Sequence, residues 1–143
     1  MRKLALLAGI AALALAGVAY AASSPVMVGT KLDSMQDHAT KSHGTGSFTG
    51  DITGGKLKFT LKFSHLTGAA SAAHIHLGAK GVSGPVLIAL CGPCKSGMRN
   101  IITISEDAEK AITTGKTYVN VHTAKNKNGE IRGQVKSRES KAS

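Results

Sequence analysis

Between Lys56 and His65 the chain alternates without a break. Leu57, Phe59, Leu61, Phe63 and His65 fall on one parity, and Lys56, Lys58, Thr60, Lys62 and Ser64 on the other. A period of two sends one set to a buried face and the other to water, the pattern of a strand lying on a core. A helix built from the same residues would spread both sets around its circumference. Residues 47–52 and the turn Thr53-Gly54-Gly55 precede this run and complete a hairpin. Further strands are expected at residues 26–32, 72–77, 86–90, 100–104, 117–123 and 130–136. The last two flank a loop holding Asn128-Gly129, a strong turn signal. One helix interrupts them: Ser105 caps it, Glu106 and Asp107 open it, and it runs to about Thr113 with Gly115 ending it. Short strands, frequent glycine turns and a single small helix predict an all-β fold, an antiparallel β-sandwich or barrel.

The N-terminus reads as an export signal. Arg2 and Lys3 precede an apolar run over residues 4–18, and Ala19-Tyr20-Ala21 supplies a small-x-small cleavage site. The run is shorter than the ~20 residues of a membrane span and contains Gly9 and Gly17. Residues 1–21 are therefore expected to be a cleaved signal peptide, with no membrane span left after cleavage and a periplasmic or secreted product. Residues 22–137 then form one domain, and the polar, charged residues 138–143 a disordered tail.

The formal net charge is +10, and removing Arg2 and Lys3 lowers it to +8. A basic surface attracts anions, and a small anion is an expected partner. Nucleic acid is not, because no basic strip is interleaved with aromatic residues on which bases could stack. Hydrolytic chemistry finds no support: the eight acidic residues are dispersed and no serine stands in a nucleophile elbow.

Two constellations carry possible chemistry. The first is Ala73-His74-Ile75-His76. In a strand His74 and His76 face the same way, ~7 Å apart at Cα, and can converge on one metal ion. Asn120-Val121-His122-Thr123 offers a third imidazole in another strand. Imidazoles suit copper, zinc and nickel, and the Irving–Williams order gives Cu(II) the highest affinity. The bland alternative makes all three structural, bonded to backbone carbonyls. Asn120 shares a face with His122 and Tyr118, where it either orients a ligand imidazole or lines the sandwich edge. His65, His38 and His43 are the further histidines from which a fourth ligand could come. Met27, Met35 and Met98 are scattered and read as filler.

The second constellation is Cys91-Gly92-Pro93-Cys94. In an exported protein it reads as a small disulfide stapling a loop. A thiol redox centre or a soft Cu(I) site are the other readings. The redox reading needs the first cysteine at a helix N-terminus, and Lys95-Ser96-Gly97-Met98 offers no such helix.

Four segments carry a family resemblance. Ala73-His74-Ile75-His76, Gly81-Val82-Ser83-Gly84-Pro85-Val86, Tyr118-Val119-Asn120-Val121-His122-Thr123 and Gly129-Glu130-Ile131-Arg132-Gly133-Gln134-Val135 resemble the CHRD (chordin-type) family in order and spacing. The resemblance runs from about Leu32 to Lys136 and implies an extracellular or periplasmic β-rich module, with no settled activity for single-domain members. It breaks near the start, where Gln36-Asp37-His38-Ala39-Thr40 replaces an acidic-Val-Pro-Pro segment.

A more distant similarity is to the Cu,Zn superoxide dismutases, which are Greek-key β-sandwiches. It implies copper on His74, His76 and His122, with Arg132 guiding an anion. Arg132 shares a strand face with Glu130 and Gln134, and its other reading is a structural ion pair or a fork on backbone carbonyls. No histidine lies between His76 and His122, so the bridging ligand and the zinc site have no counterpart. The expectation is thus an exported CHRD protein that binds copper but no zinc, with superoxide or other redox activity as a secondary possibility. The competing expectation is a non-enzymatic envelope module whose protein partner the sequence does not name.

Overall fold

The computed structural model describes residues 24–34 and 41–138. Residues 1–21, expected to be an export signal, as well as His38 and residues 139–143 of the expected tail, lie outside them. Ten elements follow in order: β1 (Val26–Asp33), β2 (Thr45–Thr53), β3 (Lys56–Ser64), β4 (Ala70–Leu77), β5 (Val86–Cys91), β6 (Met98–Thr103), α1 (Glu106–Thr113), β7 (Thr117–Thr123), β8 (Ile131–Gln134) and β9 (Lys136–Arg138). The fold is all-β with one short helix, as the alternation and the glycine turns imply. Among the described residues no helix is long and apolar enough to cross a membrane.

The strands form one antiparallel sheet with the order β5-β4-β7-β8-β1-β2-β3-β6, and β9 pairs with β1. At the β8–β1 junction a single residue pair, Arg132 with Asp33, is in register. The sheet curls, and its halves β5-β4-β7-β8 and β1-β2-β3-β6 share a single core. Phe48, Leu57, Phe59 and Leu61 come from one half, and Ala73, Ile75, Val119, Val121 and Ile131 from the other. The rings of Phe48 and Phe59 stack with centroids 5.8 Å apart. The connections β3 to β4, β5 to β6 and β6 to β7 cross between the halves, which brings β4 and β7 side by side.

Local chemistry explains the elements. Thr53 pairs with Lys56 across Gly54 and Gly55, whose φ values are +56° and +69°. Two consecutive positive φ angles make a turn whose twist matches the flanking strands, and glycine adopts them without strain. Ser105 caps α1 by accepting from the Ala108 N–H, and three acidic residues sit in the first turn, where the helix dipole favours them.

The structure corrects three details of the sequence reading. His65 does not continue the β3 alternation: the strand ends at Ser64, and His65 turns into the left-handed region at φ +57° with its side chain exposed. The last predicted strand is two pieces, because Val135 donates its N–H to the Thr117 carbonyl before the chain moves across to β1. Arg138, assigned to a disordered tail, instead pairs with Met27, as Ser137 does with Val28.

All seven residues of β7 are buried. Alternation alone would leave every second one in water. Val119 and Val121 enter the core, so Tyr118, Asn120 and His122 must be covered from outside. The cover is two loops, residues 78–85 and 124–129, which reach over the outer face of β4, β7 and β8 and bond to side chains standing on it.

Candidate metal centre

On β4, Ala73 and Ile75 point into the core, and His74 and His76 stand on the outer face. The register pairs Ala72 with His122, His74 with Asn120 and His76 with Tyr118. His122 is therefore the diagonal neighbour of His74, within reach of its ring. The three imidazoles converge. Ring centroids lie 4.9 Å apart for His74–His122, 5.6 Å for His74–His76 and 5.9 Å for His76–His122. One ring nitrogen from each lies within 4.8 Å of the other two. Among the described residues they are the one group of His, Cys, Asp and Glu side chains close enough to hold a metal ion.

Backbone carbonyls decide which nitrogens are available. His76 Nδ1 lies 2.9 Å from the Gly84 carbonyl, and His122 Nδ1 lies 2.9 Å from the Lys127 carbonyl. A carbonyl can only accept, so each Nδ1 carries the ring proton and each Nε2 keeps its lone pair. His122 Nε2 sits 3.1 Å from His74 Nδ1, which donates to it in the metal-free protein. His76 Nε2 is buried with no hydrogen-bond partner. The set offered to a cation is His74 Nδ1, His76 Nε2 and His122 Nε2. Carbonyls behind two of the rings fix their tautomer and tilt, the usual outer support of a metal-binding histidine. Burial, then the neighbouring His122 and His76, pushes the His74 pKa below its ordinary value and favours the neutral form that ligates.

The support for His76 continues outward. The Tyr118 ring stacks on the His76 ring, centroids 4.9 Å apart and 9° between planes, and Tyr118 Oη accepts from the Gly84 N–H at 3.1 Å. Tyr118 thus holds both the imidazole and the loop whose carbonyl orients it. Because β7 lies between β4 and β8, Tyr118 has His76 on one side and Arg132 on the other. The Arg132 guanidinium carbon sits 3.3 Å over the Tyr118 ring centroid.

Arg132 takes one of the two arrangements offered for it by the sequence. It is 1% exposed, and its Nη2 donates to the carbonyls of Ala79 and Val82 at 2.9 Å each. The fork on backbone carbonyls is the arrangement found. A guanidinium turned inward and spent on two carbonyls clamps the 78–85 loop and has no face left in solvent for guiding an anion. Asn120 is also turned to a loop: its Nδ2 donates to the Asn128 carbonyl at 3.1 Å. The other histidines stay apart. His43 and His65 are exposed and outside the cluster.

Cys91 and Cys94 form a disulfide, with Cα atoms 5.3 Å apart. Turns, not a helix, follow it, so the dipole that would activate a thiol is missing. The Cys94 N–H donates to the Ala70 carbonyl, tying the loop to the first residue of β4.

An open cleft borders the cluster, lined by His76, Ser83, Tyr118, His122, Lys125 and Lys127 among others, with no carboxylate in its lining. The two lysine side chains are exposed.

Fold and site together define a class: an antiparallel β protein with three converging imidazoles on one outer face, two of them held by backbone carbonyls. Residues 28–135 match the CHRD domain family, and the chain belongs to it. No curated protein and no solved structure matches the chain. Sequence reasoning gave Tyr118, Gly84 and Lys127 no role at the site. Tyr118 had a visible signal in its parity with Asn120 and His122, whereas a backbone carbonyl has none.

Proposed function

We propose that this CHRD-domain protein binds a copper ion through His74 Nδ1, His76 Nε2 and His122 Nε2, and works outside the cytoplasm. The observation that carries the reading is the His76 Nε2 atom, buried without a hydrogen-bond partner beside two other imidazoles. A buried polar nitrogen left bare is costly unless something occupies its lone pair. The chemistry of the set narrows the choice. Three neutral nitrogens with no carboxylate or thiolate suit a borderline cation, and copper heads the affinity order. The disulfide supports an oxidising compartment.

Bound copper would supply one-electron redox chemistry. The chain's own contribution is to fix the rings of His76 and His122 on carbonyls, favour the neutral form of His74, and leave a cleft through which a small anion can approach between Lys125 and Lys127. Redox turnover of such an anion, superoxide included, is the finer reading.

Titration with Cu(II) and with Zn(II), for wild type and for His74→Ala, His76→Ala and His122→Ala, tests it. Wild type is expected to bind one Cu(II) more tightly than Zn(II), and each variant to lose at least ~10-fold in affinity. Binding no tighter than micromolar, or variants that match wild type, would sink the reading and leave the histidines structural.

A further inference from the structure

Among the described residues, a side chain with five hydrogen-bond contacts lies outside the histidine cluster. Glu130 is 0% exposed. Its Oε1 accepts from Ser42 Oγ and from the Thr67 N–H, both at 2.6 Å. Its Oε2 accepts from Thr67 Oγ1 at 2.8 Å, Thr123 Oγ1 at 2.6 Å and Asn126 Nδ2 at 3.0 Å. One carboxylate therefore joins three stretches of chain: the entry to β2, the connection from β3 to β4, and the β7–β8 loop.

That loop is the one whose Lys127 carbonyl holds His122 Nδ1 and whose Asn128 carbonyl holds the Asn120 amide. Asn126 is its corner. Besides reaching Glu130, its Nδ2 donates to Thr67 Oγ1 at 3.1 Å, and its carbonyl accepts from the Gly129 N–H at 3.1 Å. The path from Glu130 to the imidazole is short: carboxylate, Asn126, the next residue's carbonyl, His122 Nδ1. Charge-assisted bonds to a buried carboxylate are about twice as strong as neutral ones, which suits an anchor for an otherwise exposed loop.

We infer that Glu130 is a positioning residue for the metal centre: through Asn126 it fixes the Lys127 carbonyl and thereby the tautomer and tilt of His122. This rests on the three-histidine reading of the site. Its test separates the two. Cu(II) affinity and thermal unfolding are measured for wild type, Glu130→Gln, Asn126→Ala and Ser42→Ala. In parallel, hydrogen exchange and the 15N shift of His122 Nδ1–H are read by NMR in the metal-free proteins.

Glu130→Gln and Asn126→Ala are expected to weaken Cu(II) binding by ~10- to 100-fold, the usual cost of losing support behind a ligand. Both should also speed His122 Nδ1–H exchange. Ser42→Ala removes a donor from the side of the carboxylate away from the loop. It should lower stability yet leave affinity within about twofold and exchange unchanged.

A purely structural carboxylate predicts something else: affinity loss that tracks stability loss across all three variants, Ser42→Ala included. That pattern, or unchanged His122 exchange in Asn126→Ala, overturns the inference. Should Glu130→Gln fail to fold, Asn126→Ala decides alone. Should wild type bind no metal, the metal-centre reading falls, and the metal-free exchange data still decide whether Glu130 holds His122.

Discussion

Gly84 is where a single atom matters most. Its carbonyl sets the proton of His76, its N–H meets Tyr118, and a Cβ there would stand 1.7 Å from the Leu77 carbonyl oxygen. No side chain fits unless β4 and the 78–85 loop part. Gly84→Ala is expected to cost about 1–3 kcal/mol in urea unfolding and to weaken Cu(II) binding ~10-fold or more. Gly68→Ala, with nothing within 4 Å of the added atom, should change neither. Equal behaviour of the two would mean the Gly84 carbonyl does not orient His76. Glu130 makes a prediction in pH. Burial pushes its pKa up, but hydrogen bonds from Ser42, Thr123 and Thr67 outweigh this and hold it at about 2, against an ordinary 4.5. A folded-state pKa below the unfolded one gives stability that is complete above 4.5 and lost as pH falls toward 2. Wild type should therefore lose more stability than Glu130→Gln between pH 5 and pH 2 in urea titrations, and parallel curves would refute the assignment.

At the level of elements, the sequence was most legible where local rules act alone. β7 and α1 occupy the residues that alternation and capping predict, and the Gly54-Gly55 turn is where two glycines demand it. The signals failed where the backbone alone decided. Nothing in Phe63-Ser64-His65 announces that His65 takes a positive φ, and nothing in Gln134-Val135-Lys136 announces the step from β8 to β9. The site was half legible. Parity placed His74 and His76 on one face, but the register that sets His122 diagonal to His74 is a long-range fact between β4 and β7. The carbonyls that choose each tautomer belong to loops, where side-chain identity carries little of the information. Because α1 packs chiefly on β1 and β9, and its cap lies at the end far from β7, that cap can be removed selectively. Ser105→Ala should cost about 1 kcal/mol by chemical denaturation and leave Cu(II) affinity unchanged. A fall in affinity would reveal coupling between helix and site.

Across the whole molecule, the disulfide and the net charge act in different ways. Cys91 and Cys94 are three residues apart, so closing that loop restricts the unfolded chain only modestly, by about 2 kcal/mol in the chain-entropy account. The double Cys91→Ser, Cys94→Ser variant should unfold at lower denaturant and still bind Cu(II) within about twofold; a collapse of binding would show that the Cys94–Ala70 tie holds β4 in place for the site. Charge, by contrast, acts on what reaches the site. The chain carries +10 formally, and the cleft beside His76 and His122 presents Lys125 and Lys127 with no carboxylate to offset them. Two cations within a Debye length favour an approaching monovalent anion by ~1 kcal/mol in water, about fivefold, and physiological salt screens more than half of that energy. Azide titrated into the copper-loaded protein is therefore expected to bind about twofold more weakly at physiological ionic strength than at ~0.01 M. The Lys125→Glu, Lys127→Glu double variant should bind it more weakly than wild type at ~0.01 M and lose the weakening with salt, binding instead tightening as salt screens the repulsion. Because Arg132 is buried on the carbonyls of Ala79 and Val82, these lysines must carry the effect. A weakening with salt that survives their reversal would move the anion path to another part of the surface.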